Sequence, residues 1–262
     1  ASLRSAMQPM VEGKGLISAF TGPFSLLYPL VHFQKHMNHE EFESKISELK
    51  ERLRLSVKKD EVFDFLGGAA GVSFVLMNAY EVSNDKEYLE IAELYGEHLL
   101  DHAQMVNENQ LAWKQEAAHA YLGGLSHGAS GMALSLLRLA HLTGKDKYQE
   151  AANKAIRFEQ TLFNPEIGAW KDNRKGEESF SHQWCHGSTG IGLSRMTMST
   201  YSDTDQYNDE VKQSIYNIRN FGYKNSDTLC HGNFGDIELF LHAKNYFNDN
   251  TYLSEARRRG YN

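Results

Sequence analysis

Only two of the 262 residues are cysteine and only four are proline. Two cysteines exclude a disulfide-rich scaffold, and a chain of this length can bury enough core to do without a covalent staple. Scarce proline, with little alternation at period two, argues for helices rather than a sandwich or barrel. No run approaches the roughly 18 consecutive apolar residues of a membrane span. Ala1 to Met10 lack the charged-then-apolar layout of a secretion signal. Positive charge is also in deficit: 27 Lys and Arg against 34 Asp and Glu leave a formal net charge of −7. That balance argues against a nucleic-acid or membrane-surface partner. The expectation is a cytoplasmic protein whose thiols, kept reduced, face a metal rather than each other.

What the chain does have is repetition. A Gly-x-x-Gly step recurs at Gly68/Gly71, Gly128/Gly131, Gly187/Gly190 and Gly232/Gly235, with a degenerate copy over Phe20 to Ser25. Spacings of this order signal a repeat architecture. Apolar runs of helical length follow, such as Val72–Tyr80, Met132–Leu142 and Ile191–Thr200. They are apolar nearly all round, as buried helices are. Between them lie amphipathic segments. In Glu40–Val57 the residues Phe42, Ile46, Leu49, Leu53 and Val57 fall on one face; Tyr88–Leu100 and Tyr148–Leu162 behave alike. The pattern predicts an all-α fold, an α/α toroid with inner helices ringed by outer ones and all glycine turns at one end. Two long polar stretches, Gln104–Gly124 and Asn164–Gln183, interrupt the period. Each carries a tryptophan, Trp113 or Trp170, and is either a functional loop or a surface insertion.

Both cysteines lie at these turns, in Trp184-Cys185-His186-Gly187 and Cys230-His231-Gly232. Cys185, Cys230 and His231 are the candidate ligands of a zinc ion, since two thiolates and an imidazole suit zinc and leave its fourth position open. His186 is an alternative ligand, or a fourth one in a closed site. Two thiolates make zinc a weak Lewis acid, so a bound substrate thiol would stay nucleophilic. His127, taken as sharing the turn slot of Cys185 and Cys230, is the candidate proton donor. Asp64 would orient His127, or else cap a helix. His186 is a second candidate acid. His98, His119, His141 and His242 read as ordinary helix residues.

The paired Trp-Cys-His-Gly-x-x-Gly and Leu-Cys-His-Gly-Asn-x-Gly motifs carry a family resemblance, together with Ser-His-Gly-Ala-x-Gly and Asp-Phe-Leu-Gly-Gly-Ala-Ala-Gly. From about Gly13 to Phe247 the chain resembles the lanthionine synthetase C-like cyclases. The Trp-Cys-His-Gly form and Gly15-Leu-Ile-Ser-Ala-Phe-Thr-Gly22 are most similar to the C-terminal cyclase domain of class II lanthipeptide synthetases. The resemblance implies a toroid of seven repeats around zinc. It implies joining a peptide cysteine thiol to dehydroalanine or dehydrobutyrine in a dehydrated precursor peptide. It assigns zinc to Cys185, Cys230 and His231, acid–base chemistry to His127, and supporting roles to Asp64 and His186. Only five repeat turns are found, so residues 1–262 are expected to form a single cyclase-like domain, incomplete at both ends and part of a larger synthetase. An incomplete ring is expected to expose apolar helix faces. Ser181 occupies the place where some relatives carry an arginine. A glutathione-adding relative and a non-catalytic zinc-containing peptide-binding module are the alternatives. A glycoside-processing toroid lacks the paired carboxylates it would need.

Overall fold

The computed structural model describes residues 17–36, 40–115, 120–174, 179–202 and 205–261. Among the described residues ten α-helices alternate between two layers. The inner ones are α1 (Leu27–His36), α3 (Ala69–Ser83), α5 (Ala129–Thr143), α7 (Ser188–Met198) and α9 (Asn233–Tyr246). The outer ones are α2 (Glu40–Ser56), α4 (Lys86–His102), α6 (Asp146–Gln160), α8 (Asn208–Phe221) and α10 (Thr251–Gly260). Each inner helix packs on the outer helix that follows it and on the inner helices before and after it in the chain. This is the expected α/α toroid, with inner and outer rings in register. Among the described residues no substantial packing joins α9 back to α1, and apolar side chains at both edges are exposed: Tyr28 and Phe33 on α1, Phe234 and Leu241 on α9.

Local sequence explains the layers. In α5 every residue from Ala129 to Ala140 is buried, which its near-continuous apolar and small side chains permit. In α2 burial is confined to a stripe of Phe42, Ile46, Leu49, Lys50 and Leu53. Lys50 is tolerated there because its ammonium reaches Asp85 and Glu87 at the start of α4. The apolar core forms two clusters, one spanning α1 to α6 with Met198 and Tyr207 and one spanning α7 to α10, and Trp184 packs against both. A buried polar network spans the seam between them. Glu159 Oε1 accepts from the Gly124 and Ser130 amides, while Oε2 accepts from Ser130 Oγ and, at 2.6 Å, from Arg195 Nη2. Arg195 Nε also donates to Glu210 at 2.7 Å.

The two long stretches are anchored by their tryptophans. Gln104–Tyr121 contains two small hairpins, β1–β2 (Gln104–Asn107, Gln110–Ala112) and β3–β4 (Lys114–Gln115, Ala120–Tyr121). Trp113 is buried beside them and donates from Nε1 to the Leu99 carbonyl. A third hairpin, β5–β6 (Phe163–Asn164, Ala169–Trp170), opens the second stretch, and Trp170 is also buried. His98 is no plain surface helix residue: it is buried, with Nε2 2.9 Å from the Asp60 carbonyl. His119 lies outside the described residues.

The glycine steps obey one steric rule. A Cβ on the second glycine of each step would lie 2.0–2.5 Å from the carbonyl oxygen of the residue six places earlier. These clashes pair Gly71 with Phe65, Gly131 with Leu125, Gly190 with Trp184, and Gly235 with Leu229. The obstacle is backbone, so it cannot swing aside. Gly131→Ala is therefore expected to destabilise the fold by about 3 kcal/mol. Gly67→Ala, whose Cβ would meet nothing closer than 3.4 Å, should cost far less. Urea unfolding of both variants measures this, and equal costs would refute the rule.

Candidate active site

The close approach of the turns allows them to bond to one another. The Leu66 amide donates to the Ser126 carbonyl at 3.1 Å, the Ser126 amide to the Cys185 carbonyl at 3.1 Å, and the Cys185 amide to the Cys230 carbonyl at 3.4 Å. Leu66, Ser126, Cys185 and Cys230 each stand two residues before the first glycine of their step. The repeat thus brings equivalent positions of successive turns side by side. This register corrects one expectation. His127 does not share the cysteine slot, which Ser126 fills; His127 precedes its glycine directly, as His186 and His231 do.

At the last two turns the slots hold Cys185, Cys230 and His231, and their ligand atoms all lie within 4.8 Å of one another. Cys185 Sγ is 3.3 Å from His231 Nε2. Both cysteines are free thiols. Cys185 is buried, Cys230 half-buried and His231 exposed. Burial, and then the neighbouring Cys230, push the Cys185 thiol up to about 12. Two sulphurs so placed do not ionise together unless a cation lies between them, and a donor set of two thiols and one imidazole suits a thiophilic metal. His186 does not join this group: its Nε2 is buried and has no partner among the described residues.

His127 and Asp64 form a second pair. His127 Nδ1 is 2.7 Å from Asp64 Oδ2. A carboxylate only accepts, so Nδ1 carries the hydrogen and Nε2 is the free nitrogen of the half-exposed ring. Asp64 Oδ1 accepts from the Gly67 amide at 2.6 Å, which locks the carboxylate in place. The capping role belongs instead to Asp60, whose Oδ2 accepts from the Ala69 amide at the start of α3. The His127 and His186 rings stack with centroids 5.3 Å apart. Burial first, and then the charge of Arg174, press the His186 imidazole down to about 4.

The family described as "Lanthionine synthetase C-like protein" matches residues 2–262. The chain belongs to that family. Among its lanthionine synthetase-like relatives is the lacticin 481/lactococcin biosynthesis protein LcnDR2 of Lactococcus lactis subsp. lactis. The two are 24% identical over 209 residues, which is 76% of this chain and 21% of that protein. This family member therefore spans about a fifth of that relative's length. Nisin cyclase has a similar structure, with a TM-score of 0.75 at 19% identity over 97% of this chain and 70% of that one. A family 76 α-mannanase of Bacteroides thetaiotaomicron gives 0.55 at 11% identity, over 95% and 78% of the two chains. A sugar epimerase from a ruminal bacterium gives 0.61 at 11%, over 90% and 72%. At such identities the last three establish the fold alone.

Sequence reasoning missed two residues of the site. Asp172 and Arg174, in the loop after β6, form an ion pair of 2.5 Å, and the Arg174 charge acts on Cys185, Cys230 and His186. The sequence leaves this stretch as either a functional loop or a surface insertion, and Asp-x-Arg is no recognised motif. Nor did sequence point to the brace under Cys230. Buried Asp236 on α9 binds Lys224, Thr189 and Arg259, while Asn233 pins the loop ahead of the cysteine through Lys224 and Asp227.

In metal-free protein, burial and the neighbouring Cys230 keep Cys185 protonated near pH 8. Iodoacetamide is expected to modify Cys230 first, followed by peptide mapping to read the order. Equal rates at the two cysteines would contradict the burial of Cys185.

Proposed function

We propose that this chain is a zinc-dependent cyclase forming thioether rings in peptides, by adding a cysteine thiol across the double bond of dehydroalanine or dehydrobutyrine. One observation carries the reading: in a member of the lanthionine synthetase C-like family, neighbouring turns present a thiol–thiol–imidazole triad and a carboxylate-oriented imidazole stacked on His186, the residue that follows Cys185. Zinc held by Cys185, Cys230 and His231 would supply an open position at which a peptide thiol is kept as a thiolate.

The chain's own residues account for the remaining requirements. Addition of sulphur to the alkene carbon moves the double-bond electrons toward the adjacent carbonyl and leaves an enolate, which must take a proton at Cα. His127 Nε2 takes up the proton that the peptide thiol loses and returns it to Cα, while Asp64 holds the tautomer and stabilises the imidazolium. His186, neutral and buried, backs the His127 ring and fixes its plane. Exposed Phe221 and Tyr223 line a cavity with His231 and offer apolar surface to a dehydrated precursor peptide.

His127→Asn is expected to keep one zinc per chain while losing about 10²- to 10⁴-fold in cyclisation rate. Mass spectrometry after thiol alkylation of a dehydrated peptide measures it, because closed rings resist alkylation. Undiminished cyclisation would remove His127 from this role. Cys185→Ala and Cys230→Ala should each abolish stoichiometric zinc, and full retention in either variant would contradict the ligand assignment.

A further inference from the structure

A cavity of about 510 Å³ opens beside the metal triad, with Asp172, Arg174, Phe180, Tyr223, Lys224 and His231 among its walls. Two cations face it. Lys224 is committed, since Nζ donates to Asp236 and to the His182 carbonyl. Arg174 is only half committed. Asp172, its own side chain 8% exposed, takes Arg174 side-on: Nε lies 2.9 and 3.2 Å from its two oxygens, and Nη2 lies 2.5 Å from Oδ2. Asp172 is itself fixed by its amide, which donates to the Ser179 carbonyl, and by the neighbouring Lys171–Phe180 bridge. That geometry orients the guanidinium, whose side chain is 35% exposed, and leaves Nη1 without a partner among the described residues. An oriented arginine edge facing a cavity matches a carbonyl or carboxylate oxygen.

We propose that Arg174, clamped by Asp172, holds the carbonyl oxygen of the unsaturated substrate residue and stabilises the negative charge that develops there. The proposal rests on the cyclase reading above and deepens it. The sulphur–carbon bond forms at the alkene Cβ as the π bond breaks, and its electron pair moves through Cα onto the carbonyl oxygen. Charge on that oxygen peaks in the transition state, where a preorganised donor acts most strongly. Protonation at Cα by His127 then restores the carbonyl. The three groups divide the substrate: sulphur at the triad, Cα at His127, oxygen at Arg174. His186 stacks on the His127 ring and also feels the charge of Arg174.

The test uses a synthetic peptide with one cysteine and one dehydroalanine, and the zinc-loaded chain. Arg174→Ala is expected to lower kcat about 100-fold with little change in KM, zinc content or melting temperature. Methylguanidinium added at a non-denaturing concentration should restore part of the rate. Asp172→Asn should give a smaller loss in kcat, since it loosens the clamp but keeps the donor. An Arg174→Ala rate within about twofold of wild type would overturn the proposal, as would a loss that tracks zinc or stability and resists rescue. A wild-type chain that leaves the peptide open would instead overturn the cyclase reading, and this proposal with it.

Discussion

Everything in this molecule depends on how closely the turns at one end of the toroid approach one another. Each second glycine lies against the carbonyl of the residue six places before it, with no room for a Cβ. That tightness lets the Leu66, Ser126 and Cys185 amides each reach the equivalent carbonyl of the next turn. The consequence is chemical as well as structural. Positions 45 to 60 residues apart in sequence become nearest neighbours, so a two-residue motif written at successive turns becomes a cluster of side chains in space. Cys185 and Cys230 meet because one donates its amide to the other's carbonyl. The site is thus built on backbone, which is stiffer than any arrangement of side chains alone.

Burying polar groups at the seams keeps the turns in place. An unpaired buried charge would be strongly destabilising. Here Glu159 shares its oxygens among two amides, a hydroxyl and Arg195, while Arg195 reaches on to Glu210. Asp236 does the same for the last turn through Thr189, Lys224 and Arg259, and Asp60 for the start of α3. These networks tie turns and helix starts to side chains on neighbouring helices: Arg195 on α7 reaches Glu159 on α6, and Arg259 on α10 reaches Asp236 on α9. The apolar clusters on either side supply bulk, and Trp184, next to the first cysteine, touches both.

Much of this was legible in the sequence. Glycine spacing and helical periodicity give the repeat and both helix layers, and the predicted helices match the observed ones to within a few residues at most ends. The cluster of Cys185, Cys230 and His231 was readable because two cysteines among 262 residues each sit beside a histidine in the same repeat slot. What escaped depended on distance in space. The offset of His127 from the cysteine slot shows only when the amide ladder fixes the register. Asp60, not Asp64, caps α3, and spacing alone does not choose between two aspartates four residues apart. Arg174 comes from an irregular loop with no period, and only the folded chain brings it to the thiols. The fold is shared with a mannanase and an epimerase, so the toroid carries no chemistry by itself. The residues in its turn slots do, and here those are thiols and imidazoles.

The most direct test of the account is X-ray absorption at the zinc edge on the zinc-loaded chain, with and without a thiol-containing peptide. The account predicts two sulphur neighbours at about 2.3 Å and one imidazole nitrogen, with a light-atom neighbour replaced by a third sulphur when the peptide is added. Four protein ligands that the peptide leaves unchanged, or a chain that binds no zinc, would contradict it.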